Sequence, residues 1–361
     1  MTTVHPPLPE HQATPDETSF EQKETAGLSQ GQIVRRRFFR HKGALISMIV
    51  LILVVILAAT SIGWGPIPHW YKWTYQDQPE LLPPKYDGSP TLAVWPFSSH
   101  FNWGIHPFGQ DETGIDLFAN VMRGTQQTLI VILVMGVLST VIGVVIGALA
   151  GYYRGWVDTV LMRFTDLIIT LPVILIVAVL GRALKATGIW PVAVSMGFLL
   201  WVGLARLVRA EFLTLREREF VDASRVAGAS DARIIFKHIL PNSVGVIVVN
   251  TTLLLGGGIL TEAALSFLGF GIQFPDVSLG SLISNFSQSF GTRPWLFVWP
   301  GVFIIVIVLC INFIGDGLRD AFDPRQKRIP KAKDLKHVEA TGDQLVGNAR
   351  PAGGALGSTG G

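Results

Sequence analysis

Glu262 and Asp166 are the carboxylates that fall inside long apolar runs of this chain, Cys310 is its one thiol, and His238 stands just before another run. An ionisable group within a membrane is costly and marks an ion pathway, a proton relay or a catalytic pair unless a neighbour neutralises it. Asp166 has such a neighbour three residues back, Arg163, and reads as half of an intrahelical pair near the inner end of its span. Glu262 has no local cation. It faces either a pore or a hydrogen-bonding loop, and it would be the coupling group of a transporter driven by an ion gradient. That alternative calls for several buried carboxylates or histidines and for repeated, broken helices, and the sequence offers neither. His238 lies in a loop, and no Ser/His or paired-Asp arrangement falls within the spans. No His-Glu-x-x-His or cysteine pair suggests a metal, and no Gly-x-x-x-x-Gly-Lys-Ser/Thr phosphate loop occurs. The chain is therefore read as a non-enzyme that binds no cofactor itself.

The elements around these groups are spans. The 361 residues are 49% hydrophobic and only 15% charged, with mean hydropathy +0.43, whereas a soluble domain has about 25% charged residues. Six runs are long enough to cross a hydrocarbon core as helices, 44–62, 128–151, 160–180, 189–205, 244–260 and 295–314. The expected fold class is all-α, a polytopic membrane protein with six transmembrane helices. The first run is long, uncharged and preceded by about 34 mostly polar residues, unlike a secretory leader.

Lys/Arg asymmetry orients the spans. One set of flanks carries twenty cations, among them Arg35, Arg36, Arg37, Arg40, Lys42 and seven between Arg206 and Lys237; the opposite flanks carry six. Both termini and the 206–241 loop are thus expected in the cytoplasm, in the inner membrane of a prokaryote. The net charge of +3 is too small to suggest nucleic acid.

Five stretches follow. Residues 1–34 are a polar, disordered N-tail, 35–62 a basic segment with the first span, and 63–125 an outer segment. Residues 126–319 are a core with five spans, and 320–361 a largely disordered, Gly- and Ala-rich C-tail. The outer segment holds Trp64, Trp70, Trp73, Trp95 and Trp103, which read as an aromatic belt at the interface or as a platform for an external protein. Within it Leu117, Phe118, Val121 and Met122 make an apolar stripe, expected as an interfacial helix.

The 219–241 segment, between two spans, reads as two short helices. Phe220, Ala223, Ser224 and Ala227 fall at i, i+3, i+4 and i+7 and form one small stripe able to sink into a groove on a partner. Arg218 and Asp222, and Asp222 and Arg225, are spaced to support the first helix. Gly228 ends it, as a residue needing positive φ. Ser230 is the expected N-cap of the second, with Asp231 in its first turn, and Pro241 is expected to stop it. Elsewhere Gly143, Gly147 and Gly151 make successive GxxxG spacings that allow close helix packing, and Gly256-Gly257-Gly258 reads as a hinge or a contact patch.

A triplet Asp222-Ala223-Ser224, Gly228 four residues later, then Leu240-Pro241 resembles the "EAA---G---------I-LP" loop of ABC importer permeases. Asp222, Ser224 and His238 depart from its Glu, Ala and Ile. His106-Pro107-Phe108-Gly109-Gln110-Asp111-Glu112-Thr113-Gly114-Ile115-Asp116 is similar to an outer signature of the dipeptide/oligopeptide/nickel branch, C-type subunits. Residues 151–158 and 262–269 also look like branch segments. The resemblance, over roughly 30–328, implies the type I importer fold and a permease contributing half of a pore. It implies a second permease, one or two cytoplasmic ATPases that bind ATP and Mg, an outer substrate-binding protein, and a peptide substrate. It implies docking on the ATPase through Phe220, Val221, Asp222, Ala223, Ser224, Ala227, Gly228, Ala229, Ser230, Asp231, Ile234, Leu240 and Pro241.

Overall fold

The structure is a computed structural model that describes residues 30–81, 88–93, 101–183, 188–273 and 275–322. Residues 1–29 of the polar tail, Lys85, Trp95, Lys185 and the tail beyond 322 lie outside the described residues.

A short basic helix α1 (Gln30–Phe38) begins inside the stretch expected to be disordered. It is followed by α2 (Lys42–Ser61), uncharged after its first residue, whose first turn is capped by the His41 ring nitrogen accepting from Ala44 N–H at 3.0 Å. The next helix, α3 (Leu117–Tyr153), starts eleven residues earlier than the apolar run suggests. Asp116 caps it, accepting from Ala119 N–H at 2.7 Å. Leu117, Phe118, Val121 and Met122 are buried in the chain's main core, so they belong to the second span and not to a separate interfacial helix. The polar residues of this first stretch are used internally, Gln126 donating to the carbonyls of Ala58 at 2.7 Å and Gly63 at 2.9 Å.

The expected third span is not one helix. α4 (Gly155–Thr170) and α5 (Val173–Ala183) meet at a bend of 81°. Pro172 lacks an N–H and disfavours helical backbone at the residue before it. Leu171 is accordingly extended, at φ −77° and ψ 126°. The fourth span comprises α6 (Ile189–Leu200) and α7 (Val202–Arg216), running on well past Ala205.

Pro241 does not stop its helix. One turn, α9 (Asp231–Arg233), passes into a π-helical stretch over Ile234–Ile239 and then into α10 (Leu240–Phe267). The π register, with Leu240 N–H bonded to Ile235 C=O, shifts the ladder where the proline has no donor to give. The described chain ends with α11 (Leu279–Phe286), opened by a Ser278/Ser281 capping box, and α12 (Trp295–Phe322). Among the described residues five helices are thus long and apolar enough to span, six if the bent pair counts as one span.

The glycine spacing in α3 packs within the chain. A Cβ on Gly143 would meet Trp201 O at 3.1 Å, one on Gly147 would meet Ala205 O at 2.5 Å, and one on Gly151 would meet Phe212 Cβ at 2.6 Å. All three face α7, which approaches backbone to backbone. In the 256–258 triplet, Gly256 packs on Asn312 of α12 and Gly258 on Met135 of α3, while a Cβ on Gly257 would meet open space. The triplet is helical throughout and makes two contacts.

The outer segment folds onto α3 through the 106–116 signature. Asp116, fully buried, accepts from Tyr71 O–H at 2.8 Å and lies 2.6 Å from His106 Nδ1. Asp111 accepts from Thr113 and Ile115 N–H at 2.8 and 2.9 Å, and Gln110 donates to Gly114 C=O at 2.9 Å. Phe108 stacks on Trp299 with ring centres 3.9 Å apart. The signature is a folded plug. Of the tryptophans read as a belt, Trp70 is exposed, whereas Trp73, stacked on His106, and Trp103 pack against the core.

Burial first, then the Asp116 charge and the hydrogen bond to it, push the Tyr71 phenol far above its ordinary value of 10.0. A raised folded-state value gives stability that is present below the unfolded pKa and lost as pH climbs above it. Thermal unfolding in detergent should therefore show the wild type losing stability above about pH 10, and Tyr71→Phe losing less of its own over the same interval.

Candidate functional site

The 217–241 loop sits beneath the ends of α3 and α7 on a small core of its own. Val221, Ile234, Ile235 and Ile239 are buried against Tyr152, Leu204, Val208 and Phe212, with Ala229 and Leu240 packed at the edge. The first loop helix is α8 (Glu219–Val226). It ends as the glycine spacing requires: Gly228 has φ 77°, its N–H bonds to Arg225 C=O at 2.9 Å, and Ala229 N–H bonds to Ser224 C=O at 3.0 Å. This pair of bonds is a Schellman closure, which needs a left-handed residue at that position.

Polar clamps hold the loop to the spans. Tyr152 donates to Asp231 Oδ1 at 2.7 Å, and Arg216 bonds back to Tyr152 C=O. Arg154 pairs with Glu217 at 2.6 Å, and Arg209 grips Asp158 with two bonds of 2.5 and 2.6 Å. The 151–158 segment is therefore the latch that joins α3 and α4 to the loop and to α7.

Several expected contacts differ. Arg218 occupies the N-cap position of α8 with extended backbone and does not pair with Asp222, whereas the expected Asp222–Arg225 pair forms at 2.8 Å. Ser230 stands at the next N-cap but its side chain makes no cap bond. Asp166 pairs with Arg206 of α7 at 2.6 Å, across helices, not with Arg163.

The surface left open is narrower than the list of expected docking residues. Phe220, Asp222, Ala223, Ala227, Gly228, Ser230, Asp231 and Pro241 are exposed and Ser224 is half-buried. Val221 and Ile234, by contrast, are fully withdrawn and hold the loop together. Two residues absent from that list stand out: Val226 is 90% exposed and Phe236 is 69% exposed. Like Phe220, they are apolar side chains of the loop that the described residues leave exposed. An unpaired valine after the small stripe was the available signal for Val226; nothing local marks Phe236 as outward among four apolar neighbours.

Glu262 does not line an open surface. It is fully buried, accepting from Ser266 O–H at 2.8 Å and Thr128 O–H at 3.2 Å. The Thr128 bond joins α10 to α3, and the Ser266 bond lies within α10. Among the described residues no group of three His, Cys, Asp or Glu is placed to hold a metal.

Residues 143–328 match the family described as "Binding-protein-dependent transport system inner membrane component", and residues 29–84 match "N-terminal TM domain of oligopeptide transport permease C". The oligopeptide transport system permease protein OppC of Haemophilus influenzae is 36% identical over 312 residues, covering 85% of this chain and 93% of the relative. OppC of Mycobacterium tuberculosis is 34% identical over 302 residues, covering 83% and 97%. Among solved structures, the inward-facing MetNI methionine ABC transporter matches with a TM-score of 0.49 at 21% identity, over 59% of this chain and all of that one. The chain belongs to the family of inner-membrane permease components of binding-protein-dependent transport systems. It is a permease subunit, and in its family ATP hydrolysis belongs to a separate subunit.

Proposed function

We propose that this chain is one half of the pore of an ATP-driven importer of oligopeptides, and that the α8–α9 knob is where it engages a cytoplasmic ATPase. The relatives' oligopeptide transport names support the substrate class. A second, similar permease completes the pore, one or two ATPases bind ATP and Mg, and an outer binding protein delivers the peptide. Both termini and the knob lie in the cytoplasm, as the twenty-to-six division of Lys and Arg supports. The permease family and the oligopeptide permease relatives favour this reading over the ion-driven alternative, for which Glu262 would be a single buried carboxylate where several are called for.

The observation that carries the docking reading is the combination of an exposed rim, Phe220, Val226 and Phe236, with a rigidly anchored base. Exposed apolar side chains on a clamped loop are an interface waiting for a partner. Ala223→Arg and Val226→Asp alter only the open surface. Each should weaken ATPase association by about 2 kcal/mol or more, roughly thirtyfold, in a pull-down from solubilised membranes, while the chain inserts and accumulates normally. Wild-type recovery of the ATPase with both variants would sink the docking role.

A further inference from the structure

We propose that the junction of α1 and α2 is a binding site for an anionic phospholipid. Arg35, Arg40 and Lys42 are exposed there and form no ion pair among the described residues. Arg319, also exposed, is added by the last turn of α12, against which α1 packs. The acids on that side are Asp316 and Asp320, and Asp320 is already taken up, in part by His41 at 3.4 Å. His41 Nδ1 is occupied as the cap of α2, which leaves Nε2 to donate to Asp320. Arg35, Arg40, Lys42 and Arg319 outnumber these two acids, and the collar is net cationic.

What lies next to it along α2 decides the ligand. Ile46, Ile49 and Leu53 are 61%, 50% and 58% exposed and fall at i, i+3 and i+7 of α2, one face of the helix starting a turn from Lys42. Phe39, 55% exposed, lies in the α1–α2 junction directly before Arg40. A soluble phosphate would use the collar alone. A phospholipid would place its headgroup on Arg35, Arg40 and Lys42 and lay an acyl chain along the isoleucine face, with Phe39 at the headgroup–acyl boundary. Ile33, Val34 and Phe38 of α1 are half-buried and α1 packs on α12, which holds the collar against the bundle. The inference rests on the chain's being a membrane protein and is independent of the docking knob.

The test is native mass spectrometry of the full chain, with whatever subunits co-purify, given equimolar phosphatidylglycerol and phosphatidylcholine. The wild type should retain phosphatidylglycerol over phosphatidylcholine by about tenfold, with a preference that falls as salt is raised. The triple variant Arg35→Gln, Arg40→Gln, Lys42→Gln should lose the preference, and the double variant Arg35→Lys, Arg40→Lys with Lys42 intact should keep it. Equal retention of both lipids by the wild type, or an unchanged preference in the glutamine variant, overturns the proposal. So does competition by inorganic phosphate at the lipid's own concentration, which would make the collar a site for soluble anions. Loss of a co-purifying protein from the glutamine variant with lipid preference unchanged would assign the collar to a protein partner instead.

Discussion

Asp116→Ala is expected to lower the stability of the solubilised protein by about 4 kcal/mol, read as a large fall in the midpoint of thermal unfolding. The carboxylate is fully buried and serves three partners at once: the Ala119 N–H at the start of α3, the Tyr71 hydroxyl and the His106 ring. Losing an N-cap alone costs about 1 kcal/mol. Leaving a buried hydroxyl and a buried imidazole without their acceptor costs more, because each was desolvated on the assumption of a partner, and breaking a buried pair from one side costs about 3–5 kcal/mol. Asp116→Asn keeps an oxygen for the cap and should fall between wild type and alanine. A fall for alanine no larger than that of an exposed control such as Glu112→Ala would show that the outer plug does not depend on this carboxylate.

Gly147→Leu should prevent the chain from accumulating in a stable form. An added Cβ already lies 2.5 Å from the Ala205 carbonyl and 2.8 Å from Val208 Cβ, and backbone on a packed helix has no rotamer to change. α3 and α7 would have to separate, losing the contacts along Gly143, Gly147 and Gly151 together. Overpacking of this kind costs about 1–3 kcal/mol and more where backbone must move. Gly257→Ala is the matched control, since its Cβ would meet nothing within 4 Å, and the exchange should be neutral or slightly stabilising through helix propensity. Membrane abundance and unfolding midpoints of the two variants check the contrast. Similar behaviour of Gly147→Leu and Gly257→Ala would remove close packing as the reason for the spacing.

The spans were legible because hydropathy is a property of composition, and a bilayer admits few alternatives to a helix. What composition hides is continuity. Pro172 and Pro241 carry the same covalent restriction, yet the first breaks a span by 81° and the second is passed over by a π-helical stretch. The difference lies in tertiary packing, with Ile234, Ile235 and Ile239 pinned in the loop's core on the approach to Pro241. The start of α3 was missed for a related reason. Its first turns carry Asn120, Gln126 and Gln127, which lower the hydropathy of the run although they are buried and each donates a hydrogen bond through its amide nitrogen. On the loop, Gly228 was readable because positive φ is a local demand. Which apolar residues face outward was not, since an eight-residue helix shows little more than two turns, and Val221 and Phe220 are adjacent in sequence but opposite in burial.

The unbroken run from Asp231 to Phe267 has a mechanical meaning. Thirty-seven residues of continuous helix make a rod of about 55 Å at 1.5 Å per residue. It is tied to α3 at two levels, by Asp231 and Tyr152 at the loop end and by Glu262 and Thr128 toward the other, so the two helices move as one body. A rod held this way is a lever. Tilting it by about ten degrees around the Glu262 level would swing Asp231, about 46 Å away, through roughly 8 Å, so a modest displacement of the loop and a small angular change deep in the bundle are the same motion measured at two radii.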